Sequence, residues 1–121
     1  MALTKTAQSV QASATSVVGT PTVSAWFTTN YGVSGVAIVT NGGTGPTIGC
    51  DFVIEVSNDG GTTPFEWTRQ TAGVVAGATS RFPFALSIGG GADFDSYRTR
   101  FTGNTGQSVT VQADAKTTAT I

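Results

Sequence analysis

Apolar and polar residues alternate with a period of two through most of this chain, and turns rich in glycine or asparagine interrupt the alternation. No segment shows the periodicity of an amphipathic helix. Because successive side chains of a β-strand point to opposite faces of a sheet, the pattern restricts the chain to half-buried strands. The 121 residues suffice for one domain. We therefore predict an all-β fold, a single antiparallel β-sandwich of jelly-roll-like or Ig-like type with about eight strands.

The beginning of the chain differs from the remainder, because Ser, Thr, Ala and Gln dominate it and the alternation is weak. We predict that residues 1–20 form an N-terminal arm or a first strand and that residues 21–121 form the β-sandwich, within one domain overall. The first ten residues contain one lysine and no apolar core of a secretory signal. We expect a protein that is made and kept in a cytoplasm, unless it leaves by lysis or as part of a particle.

A first β-hairpin is predicted over residues 51–68, because Asp59-Gly60 is typical of a two-residue turn with positive φ angles. This register places Phe52 opposite Trp67, with both side chains in the core. The other predicted pairs are Ile54 with Phe65 and Val56 with Thr63, and the residues predicted on the wetter face include Glu55 and Glu66.

A second hairpin is predicted from Tyr97–Thr102 and Val109–Asp114, joined by a short loop that contains glycine. In this hairpin Arg98 and Arg100 point outward together, and Asp114 lies diagonal to Arg98. The predicted cross-strand pairs are Phe101 with Val109 and Thr99 with Val111.

Three further segments alternate as strands, namely Pro21–Asn30, Gly32–Thr40 and Arg81–Ile88. Pro83 has no N–H group to donate, so its strand is predicted at a sheet edge. Val36–Val39 is apolar on both faces, which indicates a central strand or a strand that a partner covers.

The chain contains no histidine, and charged residues make up only 11% of it. Histidine is the usual group for proton transfer near neutral pH and the commonest metal ligand. Without histidine, and with both lysines near the ends of the chain, no ordinary base is available to activate one of the many serines. We predict no catalytic residue, no metal site and no cofactor.

Acidic residues offer two weak alternatives to that prediction. Glu55 and Glu66 are diagonal neighbours in the predicted register, at a separation that suits an inverting glycosidase. An open sheet face would raise the pKa of neither carboxyl group, so we expect solvated glutamates. Oxygen ligands for calcium are available at Asn58, Asp59, Asp93 and Asp95, but they match no EF-hand spacing, and Asp59 fits turn chemistry.

Charge also limits the choice of partners. The formal net charge is −1, and the basic residues are scattered singly, so we expect no nucleic-acid partner. No apolar run approaches the roughly 20 residues of a membrane span, so we expect no membrane partner. The single cysteine, Cys50, lies within an apolar alternation and is predicted to be a small buried hydrophobic residue.

Several apolar, aromatic and basic residues remain as candidates for a protein interface. The loop tip Val74-Val75 either packs under its own sheet or inserts into a neighbour. Trp26 and Tyr31, with Trp67, would form an aromatic platform for a sugar, or lie in the core or at a protein interface. The predicted interface residues are Arg98, Arg100, Val74, Val75, Trp26, Tyr31, Leu3 and Lys5.

Two segments carry a resemblance to a known group of proteins. Val56–Thr63, which leads into Phe65–Trp67, and Tyr97–Gly106, which leads into Gln107–Val111, resemble parts of small β-sandwich structural proteins encoded by tailed bacteriophages. The resemblance implies a virion component, specifically a capsid decoration or cement protein. Such proteins assemble as trimers or dimers over joints between coat subunits and have no catalytic motif to transfer.

Composition points in the same direction, because interface cores are depleted in charge and this chain has long uncharged stretches at residues 6–50 and 70–80. The resulting hypothesis is a non-enzymatic decoration protein of the phage head, with the coat protein and further copies of itself, as a homotrimer or homodimer, as partners. The alternative is a receptor-binding or carbohydrate-binding module of a phage tail or baseplate.

Overall fold

Nine strands form two antiparallel sheets in the computed structural model, which describes residues 4–120. A 3₁₀ turn, Gly91–Asp93, precedes the eighth strand. The strands are β1 (Thr4–Ser16), β2 (Thr22–Val23), β3 (Phe27–Thr28), β4 (Gly32–Asn41), β5 (Asp51–Ser57), β6 (Phe65–Thr71), β7 (Thr79–Ser87), β8 (Ser96–Thr102) and β9 (Val109–Thr120). The predicted all-β sandwich is confirmed.

The strand order identifies the type of sandwich. Sheet A has the order β1-β9-β4-β7, and sheet B has the order β2-β8-β5-β6, with β3 also paired to β8. Since β2 and β3 share one neighbour, they form one interrupted strand, and the sandwich has eight strand positions. The strand pairs are nested along the chain, because β1 pairs with β9 and β2 pairs with β8. This arrangement is a jelly roll rather than an Ig-like sandwich.

The predicted C-terminal hairpin is wrong, because β8 pairs with β5 while β9 pairs with β1 and β4. The alternation itself was correctly interpreted, since Tyr97 and Phe101 of β8 and Val111 of β9 are fully buried. The loop between the strands crosses from one sheet to the other. It is held by the Asn104 side-chain amide, which donates to the carbonyl of Ser16 at 3.1 Å.

The first hairpin exists, but its predicted register is wrong. Phe52 lies opposite Gln70, Ile54 opposite Thr68 and Val56 opposite Phe65. The loop is longer than a two-residue turn, because the Asp59 carboxylate accepts hydrogen bonds from Ser57 at 2.6 Å and from the Thr63 N–H at 2.8 Å.

Trp67 shows the consequence of that longer loop. It lies at a register shift between two residue pairs of the β5–β6 ladder, and it has no cross-strand partner there. The side chain is 44% exposed and packs edge-on against Phe94, with 5.9 Å between ring centroids. The predicted core position of Trp67 is therefore wrong.

Asp59 stabilises its loop while it is ionised, and hydrogen bonds from Ser57 and Thr63 lower its pKa to about 2. Since the folded pKa lies below the unfolded value of about 4, the contribution is complete above that value and is lost as pH falls through about 2. We expect Asp59→Asn to unfold at lower urea concentration than the wild type near pH 5, with the difference disappearing in strong acid. A difference that persists unchanged through that acid range would show that the charge has no part in it.

The core lies between the two sheets and centres on Phe52. This side chain is fully buried, and its ring lies 5.4 Å from that of Phe101, 5.5 Å from that of Phe84 and 6.0 Å from that of Phe82, measured between centroids. Cys50 is also fully buried, and burial raises its pKa to about 11. The thiol therefore stays protonated at neutral pH.

Two strand positions agree with the sequence predictions. Strand β7, which contains Pro83, lies at an edge of sheet A. Strand β4, which contains Val36–Val39, lies between β9 and β7 within the same sheet. Proline is tolerated at the edge because no neighbouring strand requires its missing N–H.

The predicted continuous strand over Pro21–Asn30 is interrupted after Val23. At that point the Ser24 hydroxyl accepts a hydrogen bond from the Thr99 N–H at 3.0 Å. The hydroxyl oxygen takes the place of a backbone carbonyl in the β2–β8 ladder. The chain then leaves sheet B for three residues and places Trp26 above its outer surface, over Arg98.

Candidate functional site

Glu55 and Glu66 lie directly opposite each other rather than diagonally. Glu55 is buried and accepts a hydrogen bond from Arg98 Nε at 2.8 Å, so the prediction of a solvated side chain is wrong for it. Glu66 is exposed, and the hydrogen bond from Arg69 lowers its pKa. A glycosidase acid requires a raised pKa, and the surroundings of Glu66 act in the opposite direction.

These glutamates belong to a cluster that we call the charged face, on the outer surface of sheet B. It contains three carboxylates and three guanidinium groups, so their formal charges cancel. Its members are Asp51, Glu55, Glu66, Arg69, Arg98 and Arg100. Among residues 4–120 no group of three or more His, Cys, Asp or Glu side chains is arranged to hold a metal ion.

Arg98 makes two contacts within the molecule. In addition to its bond to Glu55, its guanidinium carbon lies 4.5 Å from the ring centroid of Trp26. Trp26 also packs against Gly61, where a Cβ atom would lie only 2.4 Å from the indole Nε1. The fold brings the predicted interface residues Arg98 and Trp26 together, and their side chains contact each other.

Arg100 is the other predicted arginine of the charged face, and it is less well satisfied. Its Nε atom is buried and has no hydrogen-bond partner within the described part of the chain. It lies opposite Val53 of β5 and Val23 of β2. Because this atom is buried, an external acceptor cannot reach it, and the unsatisfied donor is a cost to the fold.

One end of the sandwich carries no charge in any of its loops, and we call it the apolar end. Its loops comprise residues 17–21, 42–50, 72–78 and 103–108, and none contains Asp, Glu, Lys or Arg. Five large apolar side chains are exposed there, and Val75, at 68%, is the most exposed. They are Val17, Val18, Ile48, Val74 and Val75.

The backbone of the apolar end is held in place by hydrogen bonds and close packing. The Asn41 side-chain amide donates to the carbonyls of Gly73 and Val75, at 3.0 and 2.9 Å. At Gly45 a Cβ atom would lie 1.9 Å from the Val74 carbonyl oxygen, so only glycine fits. The loop tip Val74-Val75 is therefore presented to the outside instead of packing under its own sheet.

A second surface lies on sheet A, at the opposite end of the molecule. Lys5 and Tyr31, both predicted as interface residues, line one pocket of about 280 Å³ together with Lys116. Sequence reasoning missed Lys116, because it lies far along the chain and reaches Lys5 only through the pairing of β1 with β9. Leu3 lies outside the described residues.

The three aromatic residues considered as a sugar platform lie on separate parts of the surface. Trp26 is covered by Arg98 on the charged face, Tyr31 lies in the pocket on sheet A, and Trp67 packs against Phe94. A stacking platform needs rings that face one ligand together, and these three rings do not form one.

None of the helical structure within residues 4–120 is long and apolar enough to cross a membrane.

Neither a known protein-family profile nor a curated protein sequence matches this chain. Among solved structures, it is similar to a chain of infectious bursal disease virus, Gx strain, with a TM-score of 0.60 and 12% identity over 94% of this chain. A chain of the VP2 subviral particle of the same virus gives a TM-score of 0.54 at 11% identity over 97% of this chain. Our chain spans only 31% and 33% of those two chains.

Two similar structures have nearly the same length as this chain. A Bacillus endospore appendage, described as belonging to a novel family of disulfide-linked pili, gives a TM-score of 0.54 at 16% identity, covering 99% of this chain and 93% of its own. The SPBc2 prophage-derived protein YomS gives 0.52 at 11% identity, covering 97% and 96%. At such identities the similarity shows a shared fold.

Proposed function

We propose that this protein is a non-enzymatic structural subunit of a virion, specifically a decoration protein that binds joints between coat subunits and stabilises the phage head. The observation that carries the proposal is the apolar end. Its five exposed apolar side chains lie in or beside loops that carry no charge, and they form the kind of surface that protein interfaces bury.

The rigidity of this end supports binding between preformed surfaces. Loops fixed by hydrogen bonds lose little conformational entropy on association, so more of the free energy of burying Val74 and Val75 remains as affinity. Each contact would be small. A shell carries many copies, and binding to the assembled state alone raises its stability by mass action.

The fold agrees with this role at the level of architecture. Similar folds occur in infectious bursal disease virus, in a prophage-derived protein and in a pilus subunit. The charged face balances its own charges, which suits a surface left in contact with water. The proposed partners are the coat protein and further copies of this chain, as a homotrimer or homodimer.

A charge placed on the apolar end should separate binding from folding. We expect Val75→Asp to reduce co-sedimentation with shells of coat protein from the same genome at least about tenfold, because a carboxylate would be buried without a partner. Its free energy of unfolding should change by less than about 0.5 kcal/mol, since the side chain is exposed.

Phe65→Asp is the matched control, because Phe65 is 55% exposed but begins β6, on sheet B at the end of the sandwich opposite the apolar end. It should sediment with shells as the wild type does. Equal losses for both variants would contradict a role specific to the apolar end. A wild-type protein that ignores shells but binds glycans would replace the proposal with a receptor-binding module.

A further inference from the structure

Both lysines of the chain converge on the pocket of sheet A, although they are 111 positions apart in sequence. Lys5 of β1 lies opposite Thr118 of β9, so Lys116 is its diagonal neighbour on the same face. Tyr31 is held beside them because its N–H donates to the Thr118 carbonyl at 3.0 Å. We call this the lysine pocket.

The electrostatics of the lysine pocket are those of a site for an anion. Neither Lys5 nor Lys116 forms a salt bridge within residues 4–120, and no carboxylate lines the pocket. Like charges at neighbouring positions of a sheet repel each other and destabilise it. A bound anion would remove that repulsion and gain two charge-assisted contacts.

The shape of the surface favours an extended ligand with an apolar stem. Tyr31 and Ala85, both exposed, contribute apolar surface to the lining of the lysine pocket, and Ser34 adds a hydroxyl. A shallow groove of about 660 Å³ continues from it and shares Ser34 and Lys116. Small residues line that groove, including Ala7 and Gly35, so a peptide backbone can approach closely. Asp114 also lines it, so the residues that flank the acidic side chain must themselves be uncharged or basic.

We infer that the lysine pocket binds the carboxylate of an acidic side chain on an extended segment of a partner protein, with the neighbouring residues of that segment in the groove. Two cations are too few for a nucleic-acid backbone, which is bound through many phosphate contacts. Tyr31 alone offers no stacking platform for a sugar. The inference rests on the proposed function only for the source of the segment, a coat subunit.

Titration with a synthetic peptide tests the inference directly. The probe is the capped pentapeptide Ala-Val-Glu-Val-Ala, and its counterpart with glutamine in place of glutamate is the control ligand. We expect the glutamate peptide to shift the amide NMR signals of Gly32, Ser34 and Ser87 saturably, and the glutamine peptide to bind about fivefold more weakly. Added salt should weaken the first interaction and leave the second nearly unchanged.

Lys116→Gln should lower the affinity for the glutamate peptide about fivefold. Arg81→Gln, which removes one positive charge from the exposed surface of the same sheet outside the pocket, should not change it. Equal effects of the two variants, shifts elsewhere on the protein, or no saturable shift would overturn the inference. Inorganic phosphate or N-acetylneuraminic acid binding as tightly as the peptide would also overturn it.

The titration requires no particle, so its outcome is independent of the sedimentation experiment. A protein that binds the peptide but not shells would overturn the proposed function and leave the lysine pocket assigned. A protein that binds shells but not the peptide would overturn this inference alone.

Discussion

Phe52→Ala is expected to lower the free energy of unfolding by about 3–5 kcal/mol, the range for removing a fully buried aromatic ring. The side chain is completely inaccessible and contacts rings from both sheets, including Phe84 of β7 and Phe101 of β8. Since the sandwich closes around this one ring, neighbouring side chains cannot fill the space without moving a sheet. Urea unfolding followed by tryptophan fluorescence measures the loss.

Phe65→Ala is the matched control for this experiment. The predicted register placed Phe65 opposite Ile54 in the core, whereas the structure places it opposite Val56 on edge strand β6, where it is 55% exposed. We expect a loss of less than about 1 kcal/mol, because little apolar area returns to water. Equal losses at positions 52 and 65 would contradict the observed register.

Arg98→Ala is expected to cost about 2–3 kcal/mol, less than a fully buried ion pair but more than a surface pair. The side chains of Arg98 and Glu55 are only 24% and 11% exposed. The substitution leaves the Glu55 carboxylate largely buried without its cation and also uncovers the ring of Trp26. The loss should therefore exceed the value of either contact alone.

Two further variants separate these contributions. Arg69→Ala removes an arginine from the same face, but its side chain is 43% exposed, so we expect only about 0–1 kcal/mol. Adding Glu55→Gln to Arg98→Ala should recover part of the loss, because the double variant no longer buries an unpaired charge. A double variant less stable than Arg98→Ala would show that loss of packing on Trp26, rather than the stranded carboxylate, causes the effect.

The contacts of Arg98 and Arg100 within the fold decide which of the two can be replaced to test assembly. Removing both at once would confuse unfolding with loss of binding, because Arg98 supports the fold. Arg100 forms no salt bridge or side-chain hydrogen bond within the described residues, so Arg100→Ala removes fewer contacts of the fold than Arg98→Ala. Its position on sheet B also separates it from the lysine pocket on sheet A.

Local patterns in the sequence predicted which residues are buried in most strands. Alternation correctly placed Tyr97, Phe101 and Val111 in the core, and the missing N–H of Pro83 correctly placed β7 at an edge. These predictions succeed because the two faces of a strand are a local property of the backbone. The register of the hairpin after Ser57 was predicted wrongly, because the Asp59 carboxylate closes the loop over more residues than an Asp-Gly turn requires.

The sequence by itself determined an all-β chain, the inward face of most of its strands, though not of β6, and the loops that lack charge. Only the tertiary structure decided which strands are neighbours, and with them the candidate sites. In a jelly roll the first strand pairs with the last, so Lys5 meets Lys116 and the predicted hairpin of β8 and β9 opens into two sheets. The physical reason is that period-two alternation specifies a face, whereas the identity of the hydrogen-bonded neighbour depends on how distant segments close around one core.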